Sequence, residues 1–404
     1  MGDWKTLLSL PRFRGLWIAL LCANLGSWSV LAALPILVAE RYGAGGALVL
    51  SLSWRILPKI LLAPVSGLFL RRFGAARVAC LALLAEGTMS ACLPQCGDFV
   101  LLQIMIAAIG ALDVFMLPGL LSLRGAVTPE GLELAGNSLC SIADRIGKTL
   151  GPVIGGIAVT MGFGPAFLVF GGAMALAAVP VAFLPRTARP PLPSAGGVAG
   201  LPIEFLRMIR GDRALFGLLV CAVTYCVMLG GLRPFLFWAN RDWFGAADTA
   251  WTGLMAAQGA GAVLGALVAG TFNRALLRRG SAYTLALVAG ILEGAIHLLL
   301  LFAPTAWAAM LILAVAGVPE VVSTAAWFTA MQQRLTPERQ GLFFAFTTPL
   351  WDCAWAVGIA SAGLHAGGTL ALGPWWAMIS LTATLPLVPL LAWDKWRGAE
   401  PARV

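Results

Sequence analysis

Charge is what this sequence has least of. Only 11% of its 404 residues are Asp, Glu, Lys or Arg, against about 25% in soluble globular proteins. Hydrophobic residues make up 60%, too many for a water-soluble surface, so a soluble enzyme is excluded and an integral membrane protein is expected. Histidine is nearly absent too, with 2 in the whole chain. No HExxH helix, no GxGD motif and no GxxxxGK[ST] phosphate loop can be found, which argues against an intramembrane enzyme and against ATP as an energy source. We expect no metal and no cofactor. The eight cysteines fall mostly within apolar windows, where a thiol behaves as a small apolar group; Cys92 and Cys96 flank an outer turn and are a candidate disulfide.

What the sequence has in abundance is long hydrophobic runs. Windows able to cross a bilayer lie near residues 16–38, 47–70, 78–93, 99–123, 139–159 and 166–184, then 215–238, 250–272, 282–303, 307–331, 342–364 and 370–393. These predict twelve transmembrane helices. With both termini in the cytoplasm the outer loops hold only Arg41 and Arg241, five basic residues lie within spans, and the remaining 20 of the 27 fall inside, as the positive-inside rule requires. The net charge of +9 is therefore a topological signal, and no nucleic-acid partner is expected. The opening run lacks a small-residue cleavage site, so the first span is expected to stay as an anchor. MGDWKT also fits a myristoylation pattern, on a match too short to separate from chance.

Between the sixth and seventh windows lies the longest connection, residues 186–213, Pro-rich at its start and amphipathic and basic at its end, suited to an anionic membrane surface. We read it as a cytoplasmic linker between an N-terminal bundle, residues 1–185, and a C-terminal bundle, residues 214–404. An internal repeat supports that division. Glu86-Gly87 matches Glu293-Gly294 and Asp113 matches Glu320 at an offset of 207; Thr128-Pro129-Glu130 matches Thr336-Pro337-Glu338 and Asp144 matches Asp352 at 208. Two parallel repeats of six spans describe a transporter whose pseudo-symmetric halves rock about a central cavity.

At this point the sequence resembles the major facilitator superfamily over essentially its whole length. The stretches FRGLWIALLCANLG (Phe13 to Gly26) and WRILPKILLAPVSGLFLRRFG (Trp54 to Gly74) are similar to the macrolide-efflux and enterobactin-exporter branch. GKTLGPVIGG matches the antiporter motif G-x-x-x-G-P-x-x-G-G at Gly147, Gly151, Pro152, Gly155 and Gly156. Small residues four apart let another helix approach closely, and the resemblance implies that this fifth span packs on the eighth, at GAGAVLGALVAG (Gly259 to Gly270). It also implies export by antiport. A second signature is altered: in the loop after the second span Gly67, Arg72 and Gly74 stand where expected, but Arg71 replaces the gating acid.

Ionisable groups inside spans cost about 2.5 to 3.5 kcal/mol each on insertion scales, so each calls for a partner or a purpose. Arg55 and Lys59 lie one helical turn apart and share a face. We expect Arg55 to pair with Glu86 and Lys59 to be the freer cation for substrate. Asp144 and Lys148, four apart, are an expected structural pair, with Arg145 about 100° around the helix. Glu293 and His297 are expected to hydrogen-bond to each other, a weak alternative being metal ligation. Asp113, Glu320 and Asp352 are the candidate proton carriers. Further candidates for substrate contact are Asn24, Trp28, Arg233, Gln258, Trp351 and Trp355, the tryptophans offering stacking faces for an aromatic or cationic compound.

The expected function is proton-driven efflux of amphiphilic small molecules, drug-like or siderophore-like, by a monomer that crosses a bacterial inner membrane and contacts its lipids. The alternative is a carrier for an anionic metal chelator or lysolipid, in either direction, motivated by Arg55, Lys59, Arg145 and Arg233. A non-transporting sensor of the same architecture would not need so many intramembrane charges.

Overall fold

The computed structural model describes residues 2–129, 132–184, 201–278 and 281–396. All its elements are helical, as a backbone without water to satisfy it demands. The linker residues 186–200, Glu130 of the Thr-Pro-Glu repeat and the chain beyond 396 lie outside the described residues.

The chain groups into two compact units. The first is Met1–Pro191 with Ala247–Ala256. It contains α1 (Gly2–Ser9), α2 (Pro11–Tyr42), α3 (Gly46–Phe73), α4 (Ala75–Cys92), α5 (Phe99–Val127), α6 (Glu133–Val159) and α7 (Phe163–Ala182). Local chemistry sets the boundaries. Pro11 opens α2 where a missing N–H costs nothing. Gly43 and Gly74 end α2 and α3 at φ of +87° and +86°, a region that a side chain disfavours. The Asp98 carboxylate caps α5 by accepting the Leu101 N–H at 2.9 Å. Cys92 and Cys96 are free thiols, and the Cys96 thiol donates instead to the Cys92 carbonyl at 3.7 Å.

The second unit is Leu192–Ala246 with Ala257–Val404. Its elements are α8 (Leu201–Gly211), α9 (Arg213–Trp238), most of α10 (Ala250–Arg278), α11 (Ala282–Leu298), α12 (Ala306–Gln332), α13 (Pro337–Ser361), α14 (Gly363–Ala366), α15 (Leu372–Thr384) and α16 (Leu387–Trp396). The window at 370–393 is thus two helices, because Pro386 has no N–H to carry the ladder through. In α8, Phe205 and Ile209 turn inward one turn apart while Glu204, Arg207 and Arg210 face out, and Phe205 stacks on Phe346 at 5.0 Å.

Among the described residues, nine helical stretches are long and apolar enough to span a bilayer. Three further windows expected to span form α3, α6 and α10, of 28, 27 and 29 residues. α3 and α6 each carry more than one intramembrane charge, and α10 is rich in glycine.

Glycine sets how closely the helices pack, since apolar side chains gain little by leaving lipid for each other. In the first unit Gly110 of α5 lies against the backbone of Arg55 in α3, and Gly87 of α4 against Gly171 and Ala175 of α7. In the second, Gly317 of α12 lies against Gly261 and Ala262 of α10, and Gly294 of α11 against Ser380, Ala383 and Thr384 of α15. Gly110 and Gly317, like Gly87 and Gly294, are 207 apart, the offset of the acidic repeat. We expect Gly110→Val to cost about 1 to 3 kcal/mol by overpacking and so lower the melting temperature in detergent by several degrees. Val at the neighbouring Ile109 position, a change of one methylene, serves as the matched control.

Candidate functional site

Within the first unit, three helices bring four ionisable side chains together. Lys59 Nζ of α3 meets Asp113 Oδ2 of α5 at 2.5 Å. Arg55 Nη2 lies 3.5 Å from the same oxygen and 3.8 Å from Glu86 Oε1 of α4, and it donates to the Ser27 hydroxyl of α2 at 3.2 Å. Glu86 is fully buried, and Arg55 and Asp113 nearly so. Only the Lys59 side chain keeps substantial access, at 29%. Two cations and two acids balance, which is what makes burial at this depth tolerable.

This arrangement corrects the sequence reading at Lys59, which is paired rather than free. Arg55 does approach Glu86, but Asp113 draws both cations. The cause is Gly110: without a side chain there, α5 touches α3 at Arg55, and Asp113, one turn further on, falls beside Lys59. Spacing along α3 fixes which residues share a face; it does not say which neighbour that face meets.

Also within the first unit, the antiporter-motif glycines are buried while Val153, Ile154 and Ile157 between and after them face out. Their nearest contacts within the first unit are on α2 and on the start of α10. Gly147 lies against Asn24, Gly151 against Trp28 and Ser29, and Gly155 against Ser29 and Ala32, all on α2. Gly156 meets the eighth span at Thr252. Within the second unit, Gly261 and Gly265 lie against α12. The Ser29 hydroxyl donates to the Gly151 carbonyl at 2.8 Å, tying the two helices at the proline-containing turn. The Asn24 amide donates to Leu20 O of its own helix at 2.8 Å.

At the altered gating loop, Gly74 supplies the turn and the Arg72 guanidinium sits 5.5 Å from the Phe73 ring. The side chains at Gly67 and Arg71 lie outside the described ones. Asp144 is solvent- or lipid-exposed, and Arg145 and Lys148 are half-buried on the same helix.

The second unit answers Asp113 with Glu320, also buried. Its Oε2 accepts from Gln258 Nε2 of α10 at 3.4 Å, and the Tyr225 hydroxyl of α9 reaches the same carboxyl. Sequence reasoning missed Tyr225; its signal was a phenol among 3 tyrosines in the entire chain, set inside an otherwise apolar span. The Arg233 guanidinium lies 4.8 Å from the Trp355 ring, so two residues expected to contact substrate contact each other. Trp351 packs edge-on against Trp327 at 5.5 Å. Asp352 is half-buried. His297 Nδ1 lies 2.9 Å from the backbone carbonyl of Glu293, one helical turn back. Among the described residues no group of three or more His, Cys, Asp or Glu is placed to hold a metal.

The sequence pattern described as Major Facilitator Superfamily matches residues 16–359. The chain belongs to that superfamily. Its members move solutes across membranes and do not transform them, so this is a multi-pass membrane transporter and not an enzyme. A Bacillus subtilis relative described as an uncharacterized MFS-type transporter, YfiS, is 27% identical over 281 residues, which cover 67% of this chain and 65% of that one. Solved structures of similar fold include a POT family transporter in complex with a thioalcohol-conjugated peptide, with TM-score 0.77, 13% identity and 96% of each chain covered. The human organic anion transporter MFSD10 gives 0.69 and 19%, covering 94% of this chain and 99% of that one. The nucleoside transporter NupG gives 0.68 and 14%, covering 96% and 100%. These likenesses concern the fold of the transporter.

Removing one member of a buried ion pair costs about 3 to 5 kcal/mol, whereas replacing both with apolar groups is often neutral. We therefore expect Arg55→Met to lower thermal stability sharply, and Arg55→Met with Glu86→Leu, which keeps the Lys59–Asp113 pair, to recover much of the loss. Differential scanning fluorimetry in detergent checks both.

Proposed function

We propose that this major facilitator protein is a proton-coupled exporter of amphiphilic small molecules in a bacterial inner membrane, acting as a monomer by alternating access with both termini in the cytoplasm. The observation that carries this reading is the buried cluster of Lys59, Arg55, Asp113 and Glu86, in which Lys59 alone is accessible. A proton arriving at Asp113 cancels the charge that holds Lys59, and its departure restores the pair. The site therefore has two discrete electrostatic states, which is what linkage between a proton and a substrate needs. Export is favoured by the antiporter motif, whose five specified positions are all buried at helix contacts.

A second reading follows from Lys59 itself. An anionic headgroup, as in a metal chelator or lysolipid, would compete with Asp113 for the ammonium, and protonation of Asp113 would then favour binding. MFSD10, named for organic anions, shares the fold, although at its identity to this chain that adds little.

The two readings give opposite signs with pH. A cationic amphiphile that replaces a proton on Asp113, Glu320 or Asp352 binds tighter at pH 8 than at pH 5.5; an anion that uses Lys59 binds tighter at pH 5.5. Ligand-induced thermal stabilisation, which grows as RT ln(1 + [L]/Kd), separates them. In proteoliposomes we expect a pH gradient to drive uphill drug movement through the native protein. Asp113→Asn should lose gradient-driven accumulation and keep substrate counterflow. Loss of both would mark Asp113 as structural, and loss of neither would remove it from coupling.

A further inference from the structure

The second unit contains a cavity of about 170 Å³ between α9, α11, α12, α13, α15 and α16. Of its walls only Trp351 was expected from sequence to contact substrate. Apolar cavities of about 150 Å³ take up benzene, so this one has room for a single substituted ring and none for a macrolide or a siderophore. Its aromatic side is built on Trp327 of α12, which meets Phe328 edge-on at 5.1 Å and Trp351 of α13 edge-on at 5.5 Å.

Apart from the weakly donating thiols of Cys221 and Cys226, most donors on these walls are committed to the protein itself. The Trp327 indole N–H donates to Leu218 O at 2.7 Å, the Ser323 hydroxyl to Ala286 O at 3.0 Å and the Thr324 hydroxyl to the Glu320 backbone carbonyl at 2.8 Å. The Tyr225 hydroxyl reaches the Glu320 carboxyl. Trp351 differs from them: its indole nitrogen is buried, and its N–H meets no acceptor among the described residues.

A buried indole N–H ordinarily finds a partner, because an unpaired donor has given up water and gained nothing in exchange. A phenylalanine at this position would supply the same kind of aromatic wall without burying a donor. Trp351 thus brings a hydrogen-bond donor to the wall of a space that fits one ring, and the acceptor has to come from whatever enters that space. Among the described lining residues no side chain is basic and one, Glu293, is acidic, so the acceptor belongs on a neutral ligand and not on an anion.

We propose that this cavity is a binding site for a small neutral aromatic carbonyl compound, its ring against Trp327 and its carbonyl oxygen accepting from the Trp351 indole N–H. The site shares no residue with the charge cluster of the first unit and does not depend on the direction or coupling of transport. Its size restricts it to compounds smaller than the amphiphiles proposed above.

The test compares acetophenone with isopropenylbenzene, in which a methylene replaces the carbonyl oxygen, on the purified full-length protein in detergent by calorimetry. The two compounds partition differently into the micelle, so each is compared between the native chain and Trp351→Phe, which keeps an aromatic wall and removes the donor. We expect the substitution to weaken acetophenone about fivefold, the size of one net hydrogen bond, and to leave isopropenylbenzene within about twofold. Ala222→Phe, which fills the cavity from α9, should weaken both. On the native chain, 4-azidoacetophenone should photolabel residues of the cavity wall, as located by mass spectrometry, and excess acetophenone should suppress those labels. The photolabelling needs no variant, so it stands even if one fails to fold. Absence of acetophenone binding, an equal effect of Trp351→Phe on both compounds, as a water molecule held by the indole would give, or suppressed labels only outside the cavity would each overturn the proposal.

Discussion

The contact between α5 and α3 at Gly110 decides where the charges of the first unit can go. A side chain at 110 would collide with the Arg55 backbone, and with the helices held apart, neither Arg55 nor Lys59 could reach Asp113. Asp113 is three residues on, about 4.5 Å along the helix axis, which brings its carboxylate level with the cations of α3. Arg55, pinned from one side by Asp113, then extends toward Glu86 and Ser27. One missing methyl group thus allows two carboxylates and one hydroxyl, from α5, α4 and α2, to share a single guanidinium.

Charges kept at this depth need a reason beyond stability. Packed apolar groups of similar volume would hold these helices at least as well, since desolvation consumes much of what an ion pair gains. The cluster is balanced, so it does not strain the fold, and its four members are unequally placed. Glu86 is sealed, Arg55 and Asp113 are nearly so, and Lys59 is open. A balanced group with one accessible member is sensitive to the arrival of a single charge, whether a proton or a ligand headgroup. The same sensitivity would be wasted in a purely structural pair.

The helical architecture was legible because hydrocarbon permits few alternatives to a helix for a long apolar run. The repeat was legible through its acids, and the structure adds that Gly110 and Gly317 keep the same register, a signal present in the sequence but hidden among 47 glycines. Pairing between helices was not legible. Lys59 and Asp113 are 54 positions apart, and nothing along either helix marks the other as its neighbour. The antiporter motif shows the same limit, because a smooth glycine face announces that helices will approach without naming them; within the first unit α2 lies against three of its glycines. Tyr225 escaped notice for a related reason, since nothing along α9 marks Glu320 of α12 as its neighbour.

The two units carry out one packing scheme with different chemistry. In both, a glycine on the repeat's fourth helix lies against the second, and an acid one turn later points at what the second helix offers. In the first unit the offer is an arginine and a lysine; in the second it is the Gln258 amide, with alanines at the corresponding positions. An amide offers a hydrogen-bond donor without formal charge, whereas the Lys59 ammonium brings one to its contact with Asp113. Asp113 therefore sits in a cluster of charges, and Glu320 accepts from a neutral amide. Duplication preserved the geometry that delivers an acid to a neighbouring helix, and divergence at a few positions on that helix set what each acid does there.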